Sequence, residues 1–198
     1  MPNETVLHPL VLASSSPHRA MLLDRFRIPY EIVRPEIDES PGEDEGPHDL
    51  VARLAVQKAG IVASGRADCV VIGSDQVAVH AGRVVGKPGD RQGAASQLRA
   101  FSGETVQFLT SVAVLMNRDE VLGHAVIETR VEFRRLRDDE IERYLDVDEP
   151  YDCAGSFKAE ALGSALFESV FSQDPTAIVG LPLIETARLL RMAGFQVP

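Results

Sequence analysis

Two long extended runs dominate the second half of the chain, Thr105–Met116 and Val121–Phe133, with Asn117-Arg118-Asp119 between them. The second run alternates: Ala125, Ile127, Thr129, Val131 and Phe133 fall on one side, Glu128, Arg130, Glu132 and Arg134 on the other. Successive side chains of a strand point to opposite faces, so one face of this strand is expected to be buried and the other wet. A connection this short joins antiparallel neighbours. The first half of the chain instead alternates strand and helix, the pattern of a parallel sheet. A mixed sheet accommodates both.

The remaining elements follow from periodicity and punctuation. Pro9–Ala13 reads as a buried strand, and Ser16 with Pro17 as the capped start of a helix carrying Met21, Leu22 and Phe26 on one side. Tyr30–Val33 is a second strand, and acidic, Gly/Pro-rich Glu36–Pro47 is a loop. Asp49–Ser64 has helical spacing, with Leu50, Val51, Leu54, Ala55, Ile61 and Val62 facing inward. Cys69–Gly73 is a strand ending at Ser74-Asp75, with a hairpin turning near Ala81-Gly82. Helices are expected at Arg91–Phe101, Asp138–Val147 and Pro182–Ala193, the last closed by Gly194. Glu149–Gly163 reads as a loop and Leu166–Phe171 as a strand. The expected fold is α/β (mixed α+β): an elongated mixed β-sheet with flanking helices, residues 1–198 forming a single domain with two lobes around a central cleft.

Composition narrows the function. At 198 residues and 44% hydrophobic, the chain can bury a substantial core, yet no apolar run is long enough to span a bilayer. Met1–Leu7 lacks the basic stretch and apolar core of a secretory signal. A net charge of −10 and a pI near 5.0, without any long basic block, argue against a nucleic-acid polymer as partner. They leave room for a small phosphate ligand held by a few cations and a metal. Cys69 and Cys153 are expected as two free thiols.

Four groups of residues carry chemistry. In Ser14-Ser-Ser-Pro-His-Arg19, a strand runs into a helix N-terminus, where backbone N–H groups and the dipole favour an anion and Arg19 can fork onto a phosphate. A serine-capped helix with a surface arginine is the plainer alternative. Asp75, in Ser74-Asp75-Gln76 at a strand end, can bind a divalent metal or accept a proton from a water attacking phosphorus. Glu39, in Glu36-Ile-Asp-Glu39, is a second hard oxygen ligand in company with Asp75, whereas Glu43, Asp44 and Glu45 read as solvated. Three lysines sit in unusual settings. Lys58 occupies an apolar stripe of its helix, Lys87 a loop of Gly and Pro, and Lys158 a run of small residues. No histidine spacing suits a metal and no Gly-x-Ser-x-Gly occurs.

In their order these pieces resemble the Maf family of nucleotide pyrophosphatases over nearly the whole chain. The matching segments are Leu12-Ala-Ser-Ser-Ser-Pro-His-Arg19, Glu36-Ile-Asp-Glu39, Arg53-Leu-Ala-Val-Gln-Lys58, Gly73-Ser-Asp-Gln76, Gly86-Lys-Pro88, Tyr151-Asp-Cys-Ala-Gly-Ser-Phe-Lys158 and Gly180-Leu-Pro-Leu183. The resemblance implies a phosphate cleft formed by Ser14, Arg19, Lys58 and Lys87, an acidic cleft position at Glu39, and Asp75 as proton acceptor. It also implies Mg²⁺ or Mn²⁺ bound through Glu39 and Asp75, a cytoplasmic location and a nucleoside triphosphate as partner, with a homodimer left open. Ser-Asp-Gln and Cys-Ala-Gly-Ser-Phe-Lys are similar to the branch acting on 7-methyl-GTP, which gives His18, Gln76 and Glu160 to base choice. The implied reaction yields 7-methyl-GMP and pyrophosphate, clearing modified nucleotides. The branch acting on dTTP and UTP, and a nucleotide sensor regulating cell division, are the alternatives. His18 stands where the 7-methyl-GTP branch often has tryptophan, and Lys158-Ala-Glu-Ala161 where Lys-Ser-Glu-Gly is usual.

Overall fold

A computed structural model describes residues 8–116 and 120–198. The expected turn at 117–119 and the segment Met1–Leu7 lie outside the described residues. The strands are β1 (Leu10–Ala13), β2 (Tyr30–Val33), β3 (Val70–His80), β4 (Arg83–Val85), β5 (Thr105–Met116), β6 (Glu120–Phe133) and β7 (Phe167–Ser172). The helices are α1 (Pro17–Leu23), α2 (Pro47–Ser64), α3 (Arg91–Phe101), α4 (Asp138–Asp148) and α5 (Leu183–Met192). All seven strands join one sheet in the order β2-β1-β3-β5-β6-β7, with β4 beside β3. β1 pairs parallel with β2 and β3, and every other pairing is antiparallel. The mixed α/β sheet is thus the arrangement that the alternating start and the long hairpin require.

Strands β3, β5 and β6 are long enough to pass through more than one core. The amino-terminal part of β3 and the carboxy-terminal part of β5 contribute Val70, Ile72, Val112 and Val114 to a cluster with Leu22 and Leu23 of α1 and Leu189 and Leu190 of α5. Val71, Ala113 and Leu115, on the opposite face, pack against Ala55, Ala59 and Val62 of α2. The other ends carry Ala78, Val106, Phe108, Val131 and Phe133 into a second region, closed by Leu98 and Phe101 of α3 and Ile141 and Leu145 of α4. Phe133, Phe157 and Phe167 meet edge to face there, with ring centroids 4.8–5.9 Å apart, the geometry that aromatic quadrupoles favour. Between these packed regions, the middle of β3 is where a cleft opens.

Several expectations are corrected. Strand β3 does not end at Asp75. β5 pairs with it continuously from Val70 to Val79, so the ladder carries the chain through Asp75 and Gln76 to His80. α1 stops at Leu23 and tightens into a 3-10 turn over Asp24–Phe26 before Arg27 reverses the chain with φ 56°. Leu22 and Leu23 consequently face the core while Met21 is 42% exposed. In α2 the buried stripe runs Leu50, Val51, Leu54, Ala55, Lys58, Ala59, Val62, Ala63, and Ile61 lies on its flank, 51% exposed. The Glu149–Gly163 segment contains 3-10 turns at Ala154–Ser156 and, at its end, Leu162–Leu166. The turn at Ala81-Gly82, the free thiols and the alternation of β6 are as expected.

Candidate active site

Sheet register assembles the site. Ala13 of β1 lies level with Val33 of β2 on one side and Gly73 of β3 on the other. Ser14 and Arg34, which follow β1 and β2, therefore emerge at the carboxyl ends of parallel strands, where open α/β sheets bind ligands, level with Ser74 inside the longer β3. α2 crosses directly over this row. A Cβ on Gly73 would lie 2.1 Å from the Ala55 carbonyl oxygen and 2.8 Å from the Ala59 nitrogen, so only glycine allows the helix backbone this close. Lys58 is thereby brought against Asp75.

Lys58 Nζ donates to Asp75 Oδ1 at 2.7 Å and to Glu39 Oε1 at 2.6 Å. The Lys58 and Asp75 side chains are 8% and 9% exposed, whereas Glu39 reaches in from the acidic loop and is 59% exposed. A lysine on an apolar stripe is here not snorkelling: its charge is buried and matched by two carboxylates. Partial desolvation raises the Glu39 carboxyl, but the hydrogen bond and charge of Lys58, with Lys87 and Arg19 beyond, outweigh it and hold Glu39 below the usual carboxylate range. Two carboxylate oxygens held at one ammonium are the donors a small hard cation takes together with phosphate oxygens. Among the described residues, no group of three or more His, Cys, Asp or Glu side chains gathers to hold a metal without such help.

Arg19 is fixed from two sides. Its Nε donates to the Gly180 carbonyl at 2.9 Å and its Nη1 to Ser14 Oγ at 3.4 Å, leaving further N–H donors on the fork. Burial pushes the guanidinium pKa down, with Asp75 and Glu39 acting the other way. Ser14 Oγ also accepts from the Ser16 amide, and Ser16 Oγ from the Arg19 amide. Capped helix and cleft residue, posed as alternatives, are the same structure. Gly180, at φ 122°, takes a second donor in Ser74 Oγ at 2.9 Å. Gln76 Nε2 donates to Thr110 Oγ1 and to the carbonyls of Ala177 and Ile178 at 2.9–3.2 Å. Its amide nitrogen is thus engaged in pinning the turn that orients Arg19. Buried Asp174 anchors the same turn through Thr176 and the Ile184 amide at the start of α5.

Lys87 projects, exposed, from the loop after β4. Gln97 of α3 donates to the Gly86 carbonyl at 2.9 Å and accepts from Ser156 Oγ at 2.6 Å, joining the Lys87 loop to the 3-10 turn at Ala154–Ser156. Beyond that turn, Glu160 Oε1 lies 2.8 Å from His18 Nδ1 of α1, the two side chains 21% and 31% exposed. Lys158 turns elsewhere, donating to the Asp148 carbonyl at the end of α4. Burial, with Asp152 alongside, pushes the Cys153 thiol up to about 12, so it is no nucleophile at neutral pH.

The structure corrects the reading of Glu45 as merely solvated. Arg53 grips its carboxylate with two bonds, Nε–Oε1 at 2.6 Å and Nη2–Oε2 at 2.7 Å, and also donates to the Ser40 carbonyl. Glu45 in turn accepts from the Gly42 amide. The loop bearing Glu39 is tied to α2 by this fork. The Arg53 hydrogen bonds hold the Glu45 carboxyl down to about 2 from an ordinary 4.5. A depressed acid stabilises the fold above its unfolded pKa and loses that contribution as pH falls through the folded one. The tether is therefore expected to persist at pH 4.5 and fail toward pH 2, and the Glu45 carboxyl carbon resonance, followed by NMR, should titrate near the lower value.

Ser14, His18, Arg19, Glu39, Lys58, Asp75, Gln76, Lys87 and Glu160 all line one cleft of about 1130 Å³. Arg34, unremarked in the sequence, lines it too, at the end of β2. That volume admits a nucleotide, and both cations and carboxylates line it. A family profile described as Maf-like protein matches residues 9–193. The chain belongs to the Maf-like family. A 7-methyl-GTP pyrophosphatase of Aromatoleum aromaticum is 51% identical over 96% of this chain and 97% of its own length. One of Xanthomonas axonopodis pv. citri is 51% identical over 96% and 98%, and one of Albidiferax ferrireducens 46% over 98% and 98%. A HAM1 protein of Coxiella burnetii is similar at a TM-score of 0.44 and 14% identity, covering 65% of this chain and 74% of that one, too slight a likeness to add to the topology. Among the described residues of this Maf-like protein, no helix is long and apolar enough to cross a membrane.

Proposed function

We propose that this protein is a nucleoside triphosphate pyrophosphatase that hydrolyses 7-methyl-GTP to 7-methyl-GMP and pyrophosphate, removing a modified nucleotide from the cytoplasm. The observation that carries the reading is Asp75, buried at mid-strand with Lys58, facing the same cleft as Arg19, Lys87 and Glu160. Relatives about half identical over nearly the full length bear that activity in their names.

In this reading Arg19, Lys58 and Lys87 hold the triphosphate oxygens and Ser14 adds a hydroxyl donor. Asp75 orients a water and takes its proton as the water oxygen bonds to the α-phosphorus. The bond from that phosphorus to the α–β bridging oxygen breaks, and pyrophosphate leaves with that oxygen. Charge built up on the equatorial oxygens is met by cations already in place. Glu39 and Asp75 would hold Mg²⁺ or Mn²⁺ with the phosphates, and the ion would neutralise phosphate charge and polarise the reacting centre.

Base choice falls to Glu160. N7-methylguanine is cationic and offers N1–H and an exocyclic amine as parallel donors, which a carboxylate can accept together. Thymine and uracil present two carbonyls around one N–H and suit an amide better. A panel of nucleotides followed for both pyrophosphate and orthophosphate tests the reading. Pyrophosphate should form from 7-methyl-GTP in preference to GTP, dTTP and UTP, and Glu160→Gln should lower kcat/KM for 7-methyl-GTP by about ten- to hundredfold. Preference for dTTP or UTP, release of orthophosphate, or binding without turnover would each reject it.

A further inference from the structure

Among the described residues, the arginine and lysine side chains lining the cleft are Arg19, Arg34, Lys58 and Lys87. Lys58 is matched by two carboxylates, and Arg19 spends donors on the Gly180 carbonyl and Ser14 Oγ. Arg34 is exposed, and among the described residues it makes no ion pair, even with Glu36 two residues on. Three other acids near it in the chain are engaged elsewhere: Glu31 with Arg66, Asp38 with the Ser40 amide and Glu39 with Lys58. We propose that Arg34 is a further substrate-binding residue that holds the outer phosphates of the triphosphate, the part that departs as pyrophosphate, an assignment that rests on the function proposed above.

The sheet sets the order of the groups. Val33 and Gly73 both lie level with Ala13, so the sequence across the strands is Arg34, then Ser14, then the Gly73–Asp75 stretch of β3. β5 is the next strand beyond β3. Against it packs the Ala154–Ser156 turn, close enough that a Cβ on Gly155 would lie 2.6 Å from Phe108 Cζ. Arg34 and the segment leading to Glu160 therefore flank Asp75 from opposite sides of β3. A nucleotide with its base at Glu160 and its α-phosphorus at Asp75 extends its β- and γ-phosphates toward Ser14 and Arg34. A guanidinium presents a planar fork of donors that fits two phosphate oxygens at once. Lys58 is already offset by the carboxylates it faces, whereas Arg34 gives up no ion-pair partner on taking a phosphate.

Titration calorimetry of the protein with inorganic pyrophosphate, and separately with 7-methyl-GMP, tests the assignment, because the monophosphate lacks the outer phosphates. Arg34→Gln should weaken pyrophosphate binding about tenfold, the low end for hydrogen bonds to charged groups, as suits an exposed side chain. Its affinity for 7-methyl-GMP should stay that of the wild type. Arg34→Lys keeps the charge without the fork and should fall between the two. A general disturbance of the cleft would instead weaken both ligands together. Unchanged pyrophosphate affinity in Arg34→Gln, an equal loss for the monophosphate, or no pyrophosphate binding by the wild type overturns the proposal. Each of these results leaves the pyrophosphatase reading intact; that reading falls instead if the wild type turns over no nucleotide.

Discussion

Asp75→Asn is expected to lower turnover of 7-methyl-GTP by about 10²–10⁴, the usual contribution of a positioned base. The loss should fall on kcat, because asparagine keeps the shape of the side chain and its capacity to accept from Lys58, yet cannot take a proton from water. The fold should survive. Lys58 retains Glu39 as a partner 2.6 Å away, and the backbone amide of residue 75 still reaches Ser111 Oγ at 3.3 Å. Circular dichroism with steady-state kinetics checks both halves. Wild-type turnover with saturating Mg²⁺ or Mn²⁺ would remove Asp75 from the chemistry.

Lys58→Met is expected to cost both stability and activity. Methionine matches the stem of lysine but leaves the Asp75 carboxylate buried without its cation. Breaking one side of a buried pair typically costs about 3 kcal/mol or more, far beyond the loss of an exposed pair. For a chain of this size that corresponds to a fall in Tm of roughly 6–12 °C. The double variant Lys58→Met with Asp75→Asn supplies the physical control. If the penalty comes from an uncompensated charge, neutralising Asp75 should restore much of the lost Tm, an interaction expected of residues in contact. Differential scanning calorimetry of the four proteins measures it. Additive losses would mean that the stem of Lys58, not its charge, is what α2 needs.

These two residues also mark how far the sequence could be read. A lysine in the apolar stripe of α2 is a local anomaly, and an aspartate flanked by serine and glutamine on a β-branched run is another. Both are legible because they violate the pattern around them. The long hairpin was legible too, since period-two alternation has few other causes, and it fixed the mixed sheet. What places Lys58 on Asp75 was not legible. It depends on Gly73, whose missing Cβ lets α2 descend onto β3, and on the level register of Ala13 with Gly73. Neither is encoded in a short window.

The supporting residues were harder still. Gln76 and Asp174 act largely on backbone carbonyls and amides, and Gln97 joins the Gly86 carbonyl to Ser156 Oγ; such partners have no sequence signature. Glu45 looks like one more acid in an acidic loop until Arg53 is seen beside it. Arg34 is an ordinary arginine until β2 pairs with β1. Strand ends were misjudged where tertiary pairing overrode local punctuation. Ser74-Asp75 resembles a strand terminus, yet β5 continues the ladder past it. The order of short motifs, matched to a family, located the cleft residues that chemistry alone would have left as scattered surface lysines and serines.

Hydrolysis of 7-methyl-GTP in ¹⁸O-labelled water, with products resolved by mass spectrometry, goes most directly to the attack on the α-phosphorus. A single labelled oxygen in 7-methyl-GMP and unlabelled pyrophosphate are expected. Label in the pyrophosphate, or in released orthophosphate, would mean that water bonds to an outer phosphorus and that the cleft around Asp75 is not built for the reaction described.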